Sequence, residues 1–331
     1  MNPKPGQETT NRRDFLLRML KGTVSIAAAS ALSYLLYDGT GPGRASEEKK
    51  LVTLPDFSLP ELGGKMSLVT GADRKKSLNL ALKALGGIET FISKGDRVLL
   101  KVNAAFASPP ILSATTNPEV VTEVARLCFK AGAASVVVTD NPINHPESCF
   151  FLTGIEAAAR SAGATLLLPN ESFFHPTTIP DATLIRSWPI LWDPFQGIDK
   201  VIGIAPVKDH HRSGASMVMK NWYGLLGGRR NIFHQDIHTI IKELAMLVRP
   251  TLVILDGTQT MMTNGPTGGS LTDLKQTNTM IVSTDQVAAD AFGATLLGRN
   301  TAELPFIAKA EAAGVGTADY EALQPIRLNT A

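Results

Sequence analysis

Short runs of apolar and β-branched residues recur along this chain, bounded by turn residues and separated by stretches with helical periodicity. A continuous apolar run, as opposed to a strict alternation, marks a strand buried on both faces. Residues 97–103 are such a run, following Lys94, Gly95 and Asp96. Asn117, Pro118 and Glu119 then supply a cap, a first-turn proline and a first-turn acid. Val120, Val121, Val124, Leu127 and Cys128 share one helical face, and Gly132 closes that helix. The pattern continues with strands at 135–140, 164–168, 200–205, 252–256 and 279–283. Helices are expected at 154–161, 234–248, 285–297 and 303–313. Strands alternating with helices predict an α/β fold. Its sheet is largely parallel with helices on both faces, as one large domain or as two lobes around a cleft.

The N-terminus obeys different rules. Lys4, Arg12, Arg13, Arg18 and Lys21 form a basic flank, and residues 22–37 follow it without a charge. A basic flank holds the start of such a segment in the cytoplasm while the apolar stretch enters the membrane. Asn11, Arg12, Arg13, Asp14, Phe15, Leu16 and Leu17 resemble the twin-arginine export motif. Residues 1–45 therefore read as a twin-arginine signal or an uncleaved N-terminal anchor. The expected partner during export is the twin-arginine translocase, and the expected location is the periplasm or the outer face of the cytoplasmic membrane. Gly43, Arg44 and Ala45 make a poor small-x-small cleavage site. Membrane contact through this segment persists if it is not cut. Residues 46–93 read as a linker and lead-in segment, and 94–331 as the α/β domain.

Composition excludes several classes. With 32 basic and 30 acidic residues the formal charge is +2. The body carries no long basic run, and aromatics make up only 6%. Both features argue against nucleic acid as a partner. Cys128 and Cys149 are the only 2 cysteines, too few for a cysteine-bound iron–sulfur cluster within one chain. Cys128 falls in a helical pattern and Cys149 in a loop; a disulfide between them is open in an oxidising compartment.

Ligands of parallel α/β sheets bind beyond the carboxyl ends of the strands. The residues that leave the strands here are Lys101 and Asn103, Asp140 and Asn141, Lys208 with His210 and His211, Asp256, and Asp285. Asn264, Gly265, Gly268 and Gly269 belong to a glycine-rich loop whose backbone N–H groups can approach an anion. That loop is neither a P-loop nor a dinucleotide fingerprint. Lys220 and Asn221 precede Trp222, Tyr223 and Gly224, and Arg229 and Arg230 come after them. Lys220 can act as a base or an anion partner, and Arg230 can clamp a carboxylate or phosphate. For each residue singly, a solvated loop or a packing role is the simpler reading. For the set, a cleft is favoured.

His234 and His238 share one side of the expected helix, with Asp236 on the other. His210, His234 and His238 are thus a candidate metal set, against capping and packing roles. His210, His234 and Lys220 are the candidates for proton transfer.

Taken in order, these segments resemble the bacterial and archaeal domain-of-unknown-function family 362. The likeness rests on residues 100–103, 116–121, 132 with 136–140, and 206–210. It continues through 219–224, Arg230, His234, 256–257, 264–269 and 285–290. The resemblance implies redox surroundings, since many relatives carry a two-cluster ferredoxin-like module whose cysteines are missing here. The order of a His, a Gly and a Lys between 208 and 220 is also faintly similar to the nickel-pincer lactate racemase pattern, which leaves a racemase-like metal-cofactor enzyme as a minor alternative. The preferred expectation is an exported enzyme or cofactor-dependent, redox-associated protein that takes a small anion. Lys101, Asn103, Lys208, Asn221, Arg230, Asp256 and the 264–269 loop would shape its cleft. The cofactor, if any, is not specified by these residues. The competing expectation is a non-catalytic binding or maturation protein for an exported redox partner, because no complete triad or metal motif is present.

Overall fold

The apolar runs pair into one nine-stranded sheet. The structure, a computed structural model, describes residues 11–35 and 51–330. The chain separates into two units, Met1–Lys49 and Lys50–Ala331. The first contains a single helix among its described residues, α1 (Arg12–Leu35), with no buried residue. Its 24 residues are long and apolar enough to cross a membrane. Lys4 and the Gly43–Ala45 cleavage motif lie outside the described residues.

The second unit opens with β1 (Met66–Thr70) and α2 (Arg74–Ala84), then β2 (Arg97–Lys101), α3 (Pro118–Lys130) and β3 (Ser135–Thr139). Two short helices, α4 (Pro146–Leu152) and α5 (Ile155–Ser161), lead to β4 (Thr165–Leu166). A separate antiparallel hairpin, β5 (Phe174–Thr177) with β6 (Trp188–Leu191), precedes the long β7 (Lys200–His210) and short β8 (Gly214–Ser216). Then come α6 (Val218–Asn221), α7 (Ile237–Leu247), β9 (Leu252–Met261), β10 (Leu274–Ser283), α8 (Gln286–Leu296), α9 (Pro305–Ala312) and β11 (Ile326–Asn329).

The strand order is β11-β1-β10-β9-β7-β2-β3-β4, with β8 paired to β7. From β9 through β7, β2, β3 and β4 every pairing is parallel. β10 is antiparallel to both β9 and β1, so the sheet is mixed and mostly parallel. Strand alternation divides the core in two. Val98, Leu100, Ile202 and Ile254 pack with α2, α3 and α5 on one face. Leu99, Val201, Val253 and Ile281 pack with α6 to α9 on the other. Both faces are covered, which is what continuous apolar strands require.

Several expectations need correction. The stretch read as linker and lead-in contains β1, a strand of the main sheet, and α2, which packs on one face of it. β7, β9 and β10 run past their apolar centres, because polar residues near the strand ends still pair. The expected helix at 234–248 is broken: Arg230–Asp236 is a 3₁₀ stretch, and Asp236 caps α7 by accepting from the Thr239 amide at 3.4 Å. Cys149 lies in α4, not a loop. Both cysteines are buried free thiols.

Candidate functional site

After β2 the chain moves outward to β3 and β4, and it later returns on the other side of β2 as β7. This reversal of strand order leaves a crevice at the carboxyl ends, where ligands of open α/β sheets bind. A cleft of about 850 Å³ occupies that position. Asn103 lines it after β2, Asp140 and Asn141 after β3, and Lys208 and His210 from the end of β7. Lys220, Asn221 and Tyr223 enter from the α6 segment, and Arg230 and His234 from the 3₁₀ stretch. Asn264, Gly265 and Gly268 come from the long connection between β9 and β10.

Beneath the cleft, Lys101 is fully buried and does not line it. Its ammonium lies 2.7 Å from Asp140 Oδ1 and donates to the carbonyls of Val102 at 2.6 Å and Asn221 at 2.9 Å. Asn221 Oδ1 accepts from it at 3.1 Å, while Asn221 Nδ2 donates to the Lys101 and Ile204 carbonyls. Burial pushes the Lys101 ammonium down, opposed by the Asp140 charge. Lys101 and Asn221 therefore tie β2 and β7 to α6. Gly224 is essential to this packing, since a Cβ there would lie 1.9 Å from Asp140 Oδ1.

Two other lysines are differently placed. Lys208 is 1% exposed and donates to the Ala114 carbonyl at 2.5 Å, with the Phe106 ring centroid 5.4 Å from its Nζ. Burial, with Lys220 nearby, pushes Lys208 down to about 7. Lys220 is 9% exposed and has its Nζ 4.9 Å from the Tyr223 ring centroid. No described side chain or carbonyl accepts a hydrogen bond from it. Burial, then Arg230, pushes Lys220 down to about 8. Arg230 donates to the carbonyls of Asn141 at 2.9 Å and Pro142 at 2.7 Å, which fixes its guanidinium against the loop after β3. Among the described residues lining the cleft, Asp140 is the one carboxylate, and Lys101 already holds it.

The histidines have opposite hydrogen-bonding states. His210 Nδ1 accepts from the amides of Arg212 and Ser213, each at 3.2 Å, so its proton sits on Nε2. Burial, reinforced by Lys220, pushes this ring down to about 2, and it is neutral at any ordinary pH. Tyr223 Oη donates to the Arg230 carbonyl at 2.5 Å. It can then only accept from His234 Nδ1, 3.1 Å away, and the Asn231 carbonyl accepts from the same nitrogen at 3.3 Å. His234 Nε2 is left with its lone pair. The His210 ring lies 4.9 Å from that of His211 and 6.0 Å from that of His234, near parallel to both.

The glycine-rich connection closes the rim. Gly265 passes so near β7 that a Cβ would sit 1.8 Å from the Asp209 carbonyl oxygen. Its amide donates to Asp209 Oδ2 at 3.3 Å. Asp273 organises the loop by accepting from Asn264 Nδ2 at 2.6 Å and Thr263 Oγ1 at 2.9 Å.

Besides Lys101, three expected members stand apart. Asp256 pairs with Arg74 of α2 at 2.8 Å, because strand alternation turns it to the face of Ile254. The β7–β9 register also slips between Pro206 and Lys208, separating Asp256 from the cleft residues. Gly269 does not line the cleft. His238 lies on α7 with its ring 6.1 Å from that of Phe306, since the 3₁₀ stretch turns His234 out of the α-helical register. The structure thus does not bring His238 to His210 and His234, and among the described residues there is no group of three or more His, Cys, Asp or Glu placed to hold a metal ion. The roles of Tyr223 toward His234 and of Phe106 toward Lys208 were not anticipated. Neither has a sequence signal, because each depends on contact between distant loops.

The molecule is thus an α/β protein with a cationic cleft at a topological switch point. It belongs to the family described as Domain of unknown function (DUF362), whose model matches residues 98–295. The Thylakoid-associated protein sll1697 of Synechocystis sp. is 27% identical over 267 residues, 76% of this chain and 78% of that protein. The lactate racemase apoprotein from Thermoanaerobacterium thermosaccharolyticum is 12% identical, with a TM-score of 0.40. That comparison covers 74% of this chain and 61% of the racemase chain, and it assigns no residue of the cleft.

Proposed function

We propose that this chain is an exported protein that binds a small organic anion in the cleft and can move a proton on it. Lys208 and Lys220 contact the anion, Arg230 adds positive potential, and His234 accepts the proton through Nε2. His210, neutral with its proton on Nε2, serves as a hydrogen-bond donor. One observation carries this reading: two buried lysines share a cleft whose one carboxylate among the described residues is already taken. Buried charges without partners are strongly unfavourable, so such a site is completed by a bound anion. The order of Arg12, Arg13, Phe15 and Leu16, with the apolar α1, supports export by the twin-arginine route. The cyanobacterial relative is named as thylakoid-associated, which agrees with a location at or beyond a membrane.

Titration calorimetry with inorganic phosphate as the probe tests the cleft. Phosphate binds the wild-type chain, and Lys220→Ala weakens that binding by at least about tenfold, the worth of one charge-assisted contact. Circular dichroism of the variant stays that of the wild type. Unchanged phosphate binding in a folded Lys220→Ala protein would refute the assignment.

A further inference from the structure

The charge distribution within the cleft narrows the class of ligand, an inference that rests on the anion-binding reading. We propose that the ligand is a dianion whose two negative charges are held between Lys208 and Lys220, as the head group of a larger organic molecule.

Some of the cations around the cleft are already satisfied by the protein itself. Lys101 has Asp140 at 2.7 Å and two carbonyl acceptors. Arg230 spreads its charge over the carbonyls of Asn141 and Pro142, with those of Tyr223 and Leu226 at 3.4 Å. Lys208, by contrast, uses one donor on Ala114, and Lys220 uses none on any described residue. Both lysines are more than nine-tenths buried as residues, and both line the cleft. A monoanion compensates one ammonium and leaves the other either charged at a cost or without its proton. A dianion compensates both, and mutual repulsion of the lysines becomes attraction to a common partner. The depression of both lysines below their ordinary range, each by burial and a neighbouring cation, fits a site built with excess positive charge.

Size then separates a head group from a bare ion. A cleft of about 850 Å³ lies within the roughly 300–1,000 Å³ range of organic-ligand pockets and far exceeds an isolated oxyanion. Phe106, Ile143 and Tyr223 give it apolar walls against which the uncharged part of a ligand can rest. A phosphate monoester and a dicarboxylate share the required chemistry.

Two matched probe pairs test this at neutral pH by calorimetry on the full chain. Methyl phosphate is compared with dimethyl phosphate, and malonate with acetate. In each pair the probes are of related shape and differ in charge. The dianionic member of at least one pair binds about tenfold or more tightly, and which pair does so distinguishes phosphate from carboxylate recognition. In Lys208→Met, and separately in Lys220→Met, that ratio falls below about threefold while the monoanion still binds. Equal affinity for both members of each pair in the wild type would overturn the dianion and leave the anion cleft standing. So would a ratio unchanged in both variants. If no probe of either charge binds, the anion cleft itself is refuted along with its ligand class.

Discussion

Lys208 occupies a position where an ammonium is thermodynamically unfavourable, and its only hydrogen-bond acceptor among the described residues is the Ala114 carbonyl. The charges that face it are Lys220, which repels it, and Asp140, which attracts it. Its folded value of about 7 lies below the ordinary 10.5. The unfolded chain therefore binds more protons than the folded one between those values, and stability rises with pH across that interval. Below pH 7 the ammonium is present in both states and the full cost is felt. Lys208→Met is accordingly expected to be more stable than the wild type at pH 6, by roughly 1–3 kcal/mol. The gap should close as pH rises through the interval toward the ordinary value. Urea midpoints of both proteins across that range measure it, and a constant gap would mean that Lys208 is already compensated in the free protein. The same residue shows what a sequence can and cannot disclose. Lys101 and Lys208 both follow apolar runs and look alike in one dimension. Only the fold makes one a strut held by Asp140 and leaves the other facing the cleft.

Among the elements, α6 has 4 residues and cannot hold itself in place. Helix α8 does it instead. Asp290 accepts from the amides of Val218 at 2.8 Å and Met219 at 3.0 Å, gripping the start of α6. Gln286, one turn earlier, accepts from Trp222 Nε1 at 2.7 Å just past its end. Lys220 and Asn221 lie between these two grips. Burial pushes Asp290 up to about 7 from an ordinary 3.8, with Asp285 adding to the rise. A raised carboxyl holds its proton in the folded chain when the unfolded chain has lost it, so its contribution to stability declines from about pH 4 to pH 7. Asp290→Asn lacks that decline. The wild type should therefore lose stability relative to the variant over this interval, as read by thermal melts at several pH values. Parallel curves would place the Asp290 carboxyl in the ordinary range. Gln286 and Asp290 fall in the 285–290 stretch that carries part of the family resemblance, but nothing in the sequence indicated what they hold. The central strands and α3 were legible because their apolar periodicity and caps are local properties. β1, β11 and the antiparallel course of β10 were not, because their places come from long-range pairing. The break before α7 was missed because apolar spacing across 234–248 suits one helix, whereas the His234 and Tyr223 contacts favour a tighter turn.

For the molecule as a whole, the cleft exists only once the body has folded. Asn103, Lys208 and Lys220 reach it from separate elements, and residues near 264 close it from a fourth. A chain whose binding site is assembled in this way can be loaded before it crosses a membrane only by a route that accepts folded cargo. In the N-terminal unit, Arg12 and Arg13 stand at the start of α1, with Phe15 and Leu16 after Asp14. Two explanations of that basic pair can be separated. If it acts only as positive charge flanking an apolar helix, lysine serves as well as arginine, since orientation follows charge. If it is read as a paired-arginine motif, the planar guanidinium groups are needed and lysine fails, as it does wherever fork geometry is recognised. The double variant Arg12→Lys, Arg13→Lys preserves charge and helix propensity alike. In a bacterial host it should remain inside the cytoplasmic membrane, folded and protected from external protease in spheroplasts, while the wild-type chain becomes accessible. Equal protease accessibility of the two chains would show that positive charge alone directs the segment, and a twin-arginine signal would then be rejected with the cleft chemistry untouched.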